Sequence, residues 1–335
     1  MKKKNLKKLV NYKNLKEDLM LYFKRLITLV ILSLLVSCSS APVAPLSDLV
    51  LSFKAAIPIL ANNLMMQVKS KQGMLDKFNK KSNIVIDPFI NTKSHEVLKV
   101  SQQIEEIFLA ETQKVFGEKF NIQSLTPDNI SKANYVIHGV IMYEPYKNQG
   151  NFYHVKSSIV DKNKGKIIAK SDVWISDKKL DYTPVIDSPI VISNPQSITE
   201  DIVEIEVDAD VPPSYNSELE IEALINKAEK AYDNKDYKTA LDLFTQAIQQ
   251  QSSDKKSMIK AYIGLYRTNI NLKDLKAAEQ NFGKIVSLNI DKNKILNVKF
   301  LFEVSKTTFT ETLAAEYHLW LRQIGQYFQQ NNLCL

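Results

Sequence analysis

A segment that occurs twice constrains this chain more than any other feature. Asp236-Tyr237-Lys238-Thr239-Ala240-Leu241, followed by Phe244 and Ala247, is echoed 38 residues later by Asp274-Leu275-Lys276-Ala277-Ala278, followed by Phe282 and Ile285. In both copies a small residue precedes a phenylalanine by four positions, and a small or aliphatic residue comes three later. That spacing places all three on one helix face. Ala240 and Ala278 let a neighbouring helix approach, and Phe244 and Phe282 fill the space between. Upstream, Leu224, Ala228 and Tyr232, then Tyr262, Leu265 and Tyr266, supply the partner helices. A unit of this kind cannot bury its apolar face alone, so copies must stack on each other and on a neighbour. A plain helical bundle is the less specific reading of the same pattern.

Ahead of the repeat the periodicity changes. Leu49, Val50, Phe53, Ile57, Leu60 and Leu64 predict an amphipathic helix over 48–68, with Pro58 as a point of disturbance. Ile84-Val85-Ile86 reads as a buried strand stopped by Asp87-Pro88. Val97, Val100, Ile104, Ile107 and Phe108 predict a second helix running toward Phe116. A strand over 120–123 and a helical turn over 127–132, capped by Thr126 or Asp128, come next. A central strand over 135–143 and a hairpin of 153–160 and 166–176 complete the series. This order predicts an α/β sandwich over 48–178, with helices on one face of a mixed sheet, and an α+β chain overall. From 180 to 226 there is no Lys or Arg but eleven Asp and Glu, with five prolines. Residues 179–217 therefore read as an acidic linker, with 202–207 alternating as an edge strand would. The acids lack the oxygen spacing and central glycine of a calcium loop.

The first 37 residues are of another kind. An eleven-residue apolar run from Leu26 to Val36, broken only by Thr28 and Ser33, follows Lys24 and Arg25. It is short for a bilayer-spanning helix and has the length and basic flank of a signal-peptide core. Nine of the 44 Lys and Arg, but two of the 37 Asp and Glu, lie before Cys38, so the remainder is formally neutral. The net charge of +7 thus belongs to the leader, and no nucleic-acid partner is expected. Residues 1–19 precede a signal that would be complete from Met20.

Leu35-Val36-Ser37-Cys38 resembles the bacterial lipobox. The resemblance implies cleavage between Ser37 and Cys38, a diacylglycerol thioether on Cys38 and acylation, commonly with palmitate, of its new amine. No other cofactor is expected. Two or three chains hold a protein firmly, at about 0.8 kcal/mol per buried methylene. Ser39, where an Asp would signal inner-membrane retention, implies the periplasmic face of the outer membrane, with 38–47 as a tether. A plain transmembrane anchor is the rival reading.

Three further resemblances follow the leader. Ile84-Val85-Ile86-Asp87-Pro88-Phe89-Ile90-Asn91, Ala133-Asn134-Tyr135-Val136-Ile137-His138-Gly139, and the Val160-Asp161 and Gly165-Lys166-Ile167-Ile168 pieces are similar to a periplasmic lipoprotein domain. That domain is shared by the curli-secretion lipoprotein, the flagellar FlgO-type proteins and activators of penicillin-binding proteins. It covers roughly 49–178 and implies a protein-binding or assembly role without enzyme activity. The duplicated segment over 218–290 resembles tetratricopeptide repeats, whose usual period of about 34 residues needs a four-residue insertion near 252–256 to reach 38. Residues 296–335 resemble the start of an OmpA-like domain: Val298-Lys299-Phe300-Leu301-Phe302-Glu303 as its strand, a stripe of Leu313, Tyr317, Trp320, Leu321, Ile324, Tyr327 and Phe328 as its helix, and Leu333-Cys334-Leu335 opening a second strand. The residues that hold the peptidoglycan stem in that family lie beyond this segment, so peptidoglycan association is expected of relatives that carry them. Alternatively the terminal helix caps the repeats.

Little else points to chemistry. Eight isolated glycines cannot build a phosphate-cradling loop. Two cysteines, Cys38 and Cys334, cannot organise a disulfide framework. His95, His138, His154 and His318 lack metal-ligand spacing, although His138 and His154 can approach across adjacent strands. Tyr143, Tyr146, Phe152 and Tyr153 read as hairpin packing, or as an exposed patch for a partner. The expectation is a non-enzymatic envelope lipoprotein that acts as a scaffold or interaction module for an envelope protein. The alternatives are a part of a secretion or surface-assembly machine and an activator of cell-wall synthesis.

Overall fold

From Val50 the chain builds a mixed seven-stranded sheet and then a run of paired helices. The computed structural model describes residues 50–71, 81–185, 190–191, 198–250, 255–290, 297–298, 300, 307–309 and 314–332. The leader, Ser37, Cys38, Leu313 and 333–335 lie outside the described residues. In chain order the sheet region comprises β1 (Val50–Leu51), α1 (Phe53–Lys71), β2 (Ser82–Ile86), β3 (Ile90–Asn91), α2 (Lys99–Phe116), β4 (Phe120–Ser124), α3 (Pro127–Ile130), β5 (Tyr135–Pro145), β6 (Asn151–Asp161) and β7 (Lys166–Ile175). The strand order is β1-β7-β6-β5-β2-β4, with β3 also on β5. β5, β6 and β7 form an antiparallel meander, and β1, β2, β3 and β4 pair in parallel.

Alternation along the strands sends Ile137 and Ile141 of β5, and Val155 and Ile159 of β6, to one face. There they meet Ile57, Leu60 and Leu64 of α1 and Ile104 and Phe108 of α2. These side chains are removed from water, which stabilises by about 1.5–3 kcal/mol each. Gly139 is required here because a Cβ would lie 2.0 Å from the Phe89 ring. The first helix starts at Phe53, later than periodicity predicts, because Val50 and Leu51 pair with Trp174 and Ile175. The Phe53 N–H donates to Asp177 Oδ2 at 2.6 Å. That cap comes from 124 residues away, beyond the reach of any local pattern.

The expectation of helices on one face only is corrected: the opposite face is covered too. α4 (Ile198–Glu204) and the start of α5 (Tyr215–Asp233) pack on it, with Ile202, Tyr215, Leu219 and Ala223 buried against Val136, Val160 and Ile167. The 202–207 edge strand is therefore also corrected. Residues 198–204 form a helix that buries Ile202 against the sheet, with Ile198 at its start and Ile205 just past its end half-buried on the same cluster, where a strand would split Ile202 from Ile205. Where 179–217 is described as helix, it is packed rather than an extended linker, because its few aliphatic residues share that face.

The duplicated segment forms two helical hairpins, α5 with α6 (Tyr237–Gln249) and α7 (Lys255–Asn271) with α8 (Leu275–Asn289). Their turns match. Lys235 and Lys273 adopt φ of 62° and 63°, Asp236 accepts from the Thr239 N–H, and Asp274 accepts from the Ala277 N–H. Ala240, Phe244 and Ala247 are buried in the first hairpin, and Ala278 and Phe282 in the second. Tyr237 is half-buried and rests on Tyr232, ring centroids 5.4 Å apart. α9 (Ala314–Gln330) closes the far end by stacking Trp320 on Phe282, with Trp320 Nε1 donating to Tyr266 Oη at 2.7 Å. Its buried stripe omits Leu321, which is exposed because it falls off the face that Tyr317, Trp320 and Ile324 share. Of the strand expected over 298–303, Val298 and Phe300 are described: Val298 lies in β9 (Asn297–Val298), paired antiparallel with β8 (Ile190–Val191), and Phe300 is outside any strand.

Candidate functional site

The second sheet face carries a buried polar network where α4 and α5 dock. Asp87 follows β2 directly, and its stop before Pro88 leaves the carboxylate under α5 rather than in solvent. His138 of β5 is fully buried, with Nδ1 3.1 Å from Asp87 Oδ2 and Nε2 2.8 Å from Tyr215 Oη. With Nδ1 donating to the carboxylate, Nε2 accepts from the tyrosine, so one neutral tautomer satisfies all three groups. Thr199 Oγ1 donates to Asp87 Oδ2 at 2.9 Å, and Asn226 Nδ2 reaches Asp87 Oδ1 at 3.4 Å. Burial works to raise the Asp87 pKa, but the His138 imidazole, the charge of Lys260 and the Thr199 bond outweigh it and hold it below the usual range. Burial and then the Asp87 charge push the Tyr215 hydroxyl well above its ordinary value.

Beside this network lies a cleft of about 70 Å³ between the β3–α2 loop and the first helices of the two hairpins. Ile90, Val97, Val185, Ile225 and Ile263 give it apolar walls. Asp87, Glu96, Glu222 and Glu229 line it against Lys260 and His95. Lys260 Nζ donates to both Glu222 oxygens at 3.1 Å, and Ser257 Oγ donates to Glu222 Oε1 at 3.0 Å. Burial works to lower the Lys260 pKa, but the charges of Glu222 and Asp87 lead a set of interactions that raise it above its ordinary value. Glu229 has no hydrogen bond among the described residues. Burial pushes its carboxyl up to about 7, opposed by Lys260 and Arg267 and reinforced by Glu222 and Asp233.

The two strand histidines do not meet. The ladder sets His138 opposite Ser158 and His154 opposite Met142, four positions apart on one face. His154 has its own setting, with Nδ1 2.7 Å from Glu144 Oε1, Nε2 2.7 Å from Asp172 Oδ2, and its ring stacked on Trp174 at 3.9 Å. Among the described residues no group of three or more His, Cys, Asp or Glu can hold a metal ion. Of the hairpin aromatics, Tyr146 is buried on Trp174 and Phe152, while Tyr143 is exposed against Tyr153.

No family model and no curated protein matches the chain. Among solved structures it is similar to the LpoB C-terminal domain from Salmonella enterica, at 13% identity and a TM-score of 0.25, over 37% of this chain and 98% of that one.

Sequence reasoning missed Glu222, Glu229 and Lys260. The signal was present in the repeat itself. Glu222 and Lys260 stand 38 residues apart, as do Glu229 and Arg267, so equivalent helix positions carry opposite charge in the two hairpins. Ile225 and Ile263, also equivalent, form apolar wall between them.

Proposed function

We propose that this chain is a non-enzymatic envelope lipoprotein, anchored through Cys38 at the periplasmic face of the outer membrane, that acts as a scaffold for a protein partner. The carrying observation is the Asp87–His138–Tyr215–Thr199–Asn226 network. It spends these polar groups on fixing the helical hairpins to the sheet, which is how a scaffold holds two recognition elements in one orientation. No helix among the described residues is long and apolar enough to cross a membrane. The anchor reading is supported by the likeness of Leu35-Val36-Ser37-Cys38 to a lipobox. The tetratricopeptide reading rests on the matched turns of the two hairpins. The export alternative is disfavoured by β6 and β7, which are covered on both faces, with Lys156 paired to Glu204 at 3.0 Å.

The test is intact-mass analysis with radiolabelled palmitate on protein from the native membrane, followed by crosslinking in cells. A diacylated or triacylated species beginning at Cys38 and a reproducible envelope partner are expected. An unlipidated chain that retains residues 1–37 would overturn the anchor, and the absence of any specific crosslink would overturn the scaffold.

A further inference from the structure

The junction cleft has features that internal packing does not require. Its walls are aliphatic, its lining acids outnumber its lining bases, and one carboxyl faces it without a hydrogen bond. Lys260 is already held by both oxygens of Glu222, so it has little left to offer an anion. Arg267 lies over the Tyr232 ring at 5.2 Å. A bare metal ion finds no set of three ligands among the described residues. What fits is a cation carried on an apolar stem, with its charge at Glu229 and its methylenes along Ile90, Ile225 and Ile263.

We propose that the cleft between the β3–α2 loop and helices α5 and α7 binds an alkylammonium group, as borne by a lysine side chain of an extended peptide or by a free aliphatic diamine. This deepens the scaffold reading, because a lysine delivered by a partner would enter where sheet and hairpins meet. An ionised Glu229 is needed, so binding releases a proton and strengthens as pH rises. The other groups facing Glu229 are Glu222 and Asp233 from α5 and Lys260 and Arg267 from α7. Asp87, His95 and Glu96 line the same cleft from the sheet side.

The experiment is calorimetric titration of the full chain with three probes: the capped peptide acetyl-Ala-Leu-Lys-Leu-Ala-amide, its norleucine analogue, and cadaverine. Saturable binding of the lysine peptide is expected, about tenfold tighter than the norleucine analogue and about tenfold weaker with Glu229→Gln. Glu279→Gln, on the surface beside Arg322, should bind as the parent does. Affinity of the unmodified chain should rise about tenfold from pH 6 to pH 8, a measure that needs no variant. Binding of cadaverine alone with the same dependences would support the chemistry and assign a free amine as its source. Norleucine binding as tightly as lysine, an unchanged Glu229→Gln, or no saturation by either amine below about 10 mM would overturn the proposal. Those failures would leave the palmitate and crosslinking results untouched, so the two readings fail separately.

Discussion

The two faces of the central sheet solve the same burial problem with different chemistry. Toward α1 and α2 the sheet presents Ile137, Ile141, Val155 and Ile159, and the helices answer with Ile57, Leu60, Leu64 and Phe108. Toward α4 and α5 it presents His138 and Ser158 as well as Val136 and Val160, with Asp87 alongside. The first face gains from dispersion and water release, which are non-directional and tolerate repacking. The second joins groups from β2, β5, α4 and α5 through hydrogen bonds that work in one arrangement only. An apolar face determines that helices cover the sheet, whereas a polar network determines which helices and at what register.

The largest effect should come from the apolar face. Phe108→Ala removes a fully buried ring packed 6.4 Å from Phe89 and should cost about 3–5 kcal/mol by denaturant titration. A loss below about 1 kcal/mol would mean that this face is loosely packed and would erase the contrast.

Asp87→Ala should cost somewhat less, about 2–4 kcal/mol, by stranding His138, Thr199 and Asn226 without an acceptor. Its signature should be pH dependence. The folded pKa of Asp87 lies below the unfolded value, so its contribution is full above about pH 4 and is lost as pH falls through the folded value. The parent should therefore show a steeper acid limb in stability against pH than Asp87→Asn. Parallel limbs would show that Asp87 is not the coupled group.

The same contrast explains what was legible beforehand. The apolar face was readable because Ile57, Leu60 and Leu64, and Ile137 and Ile141, repeat at periods that secondary structure imposes. The hairpin and the repeat were legible for the same reason. The second face was not, because its partners are scattered: Tyr215 meets His138 across 77 residues, and Asn226 meets Asp87 across 139. The acidity of 179–217 also masked Ile198, Ile202 and Ile205, whose helical spacing is the only local sign that this stretch packs. Composition described the solvent side of that segment and hid its buried side. The cleft residues fell between the two cases, since Glu222 and Lys260 sit at equivalent repeat positions but carry no motif.

Glu229→Gln should reverse the direction of the first two effects. A carboxyl whose folded pKa is raised to about 7 favours the folded state when protonated, and that advantage fades as pH rises from the unfolded value through 7. The amide should therefore stabilise the chain by about 1–3 kcal/mol at pH 8 and change little at pH 4. Thermal melts at the two pH values decide this. Equal stability at pH 8 would show that Glu229 is solvated and that the cleft holds no unpaired charge.

The smallest effect should come from Thr199→Val, which keeps the side-chain shape of a buried residue and deletes one hydrogen bond to Asp87. Its cost should be about 1 kcal/mol, because Asp87 keeps the His138 and Asn226 contacts. Combining it with Asn226→Leu sharpens the comparison of the faces. In a cooperative polar network the double variant should lose more or less than the sum of the singles by about 0.5–3 kcal/mol. On the apolar face, two distant truncations should add to within about 0.5 kcal/mol. Additivity on both faces would mean that the network is a set of independent bonds. The register of the hairpins on the sheet would then follow from Ile202, Tyr215 and Leu219 packing alone.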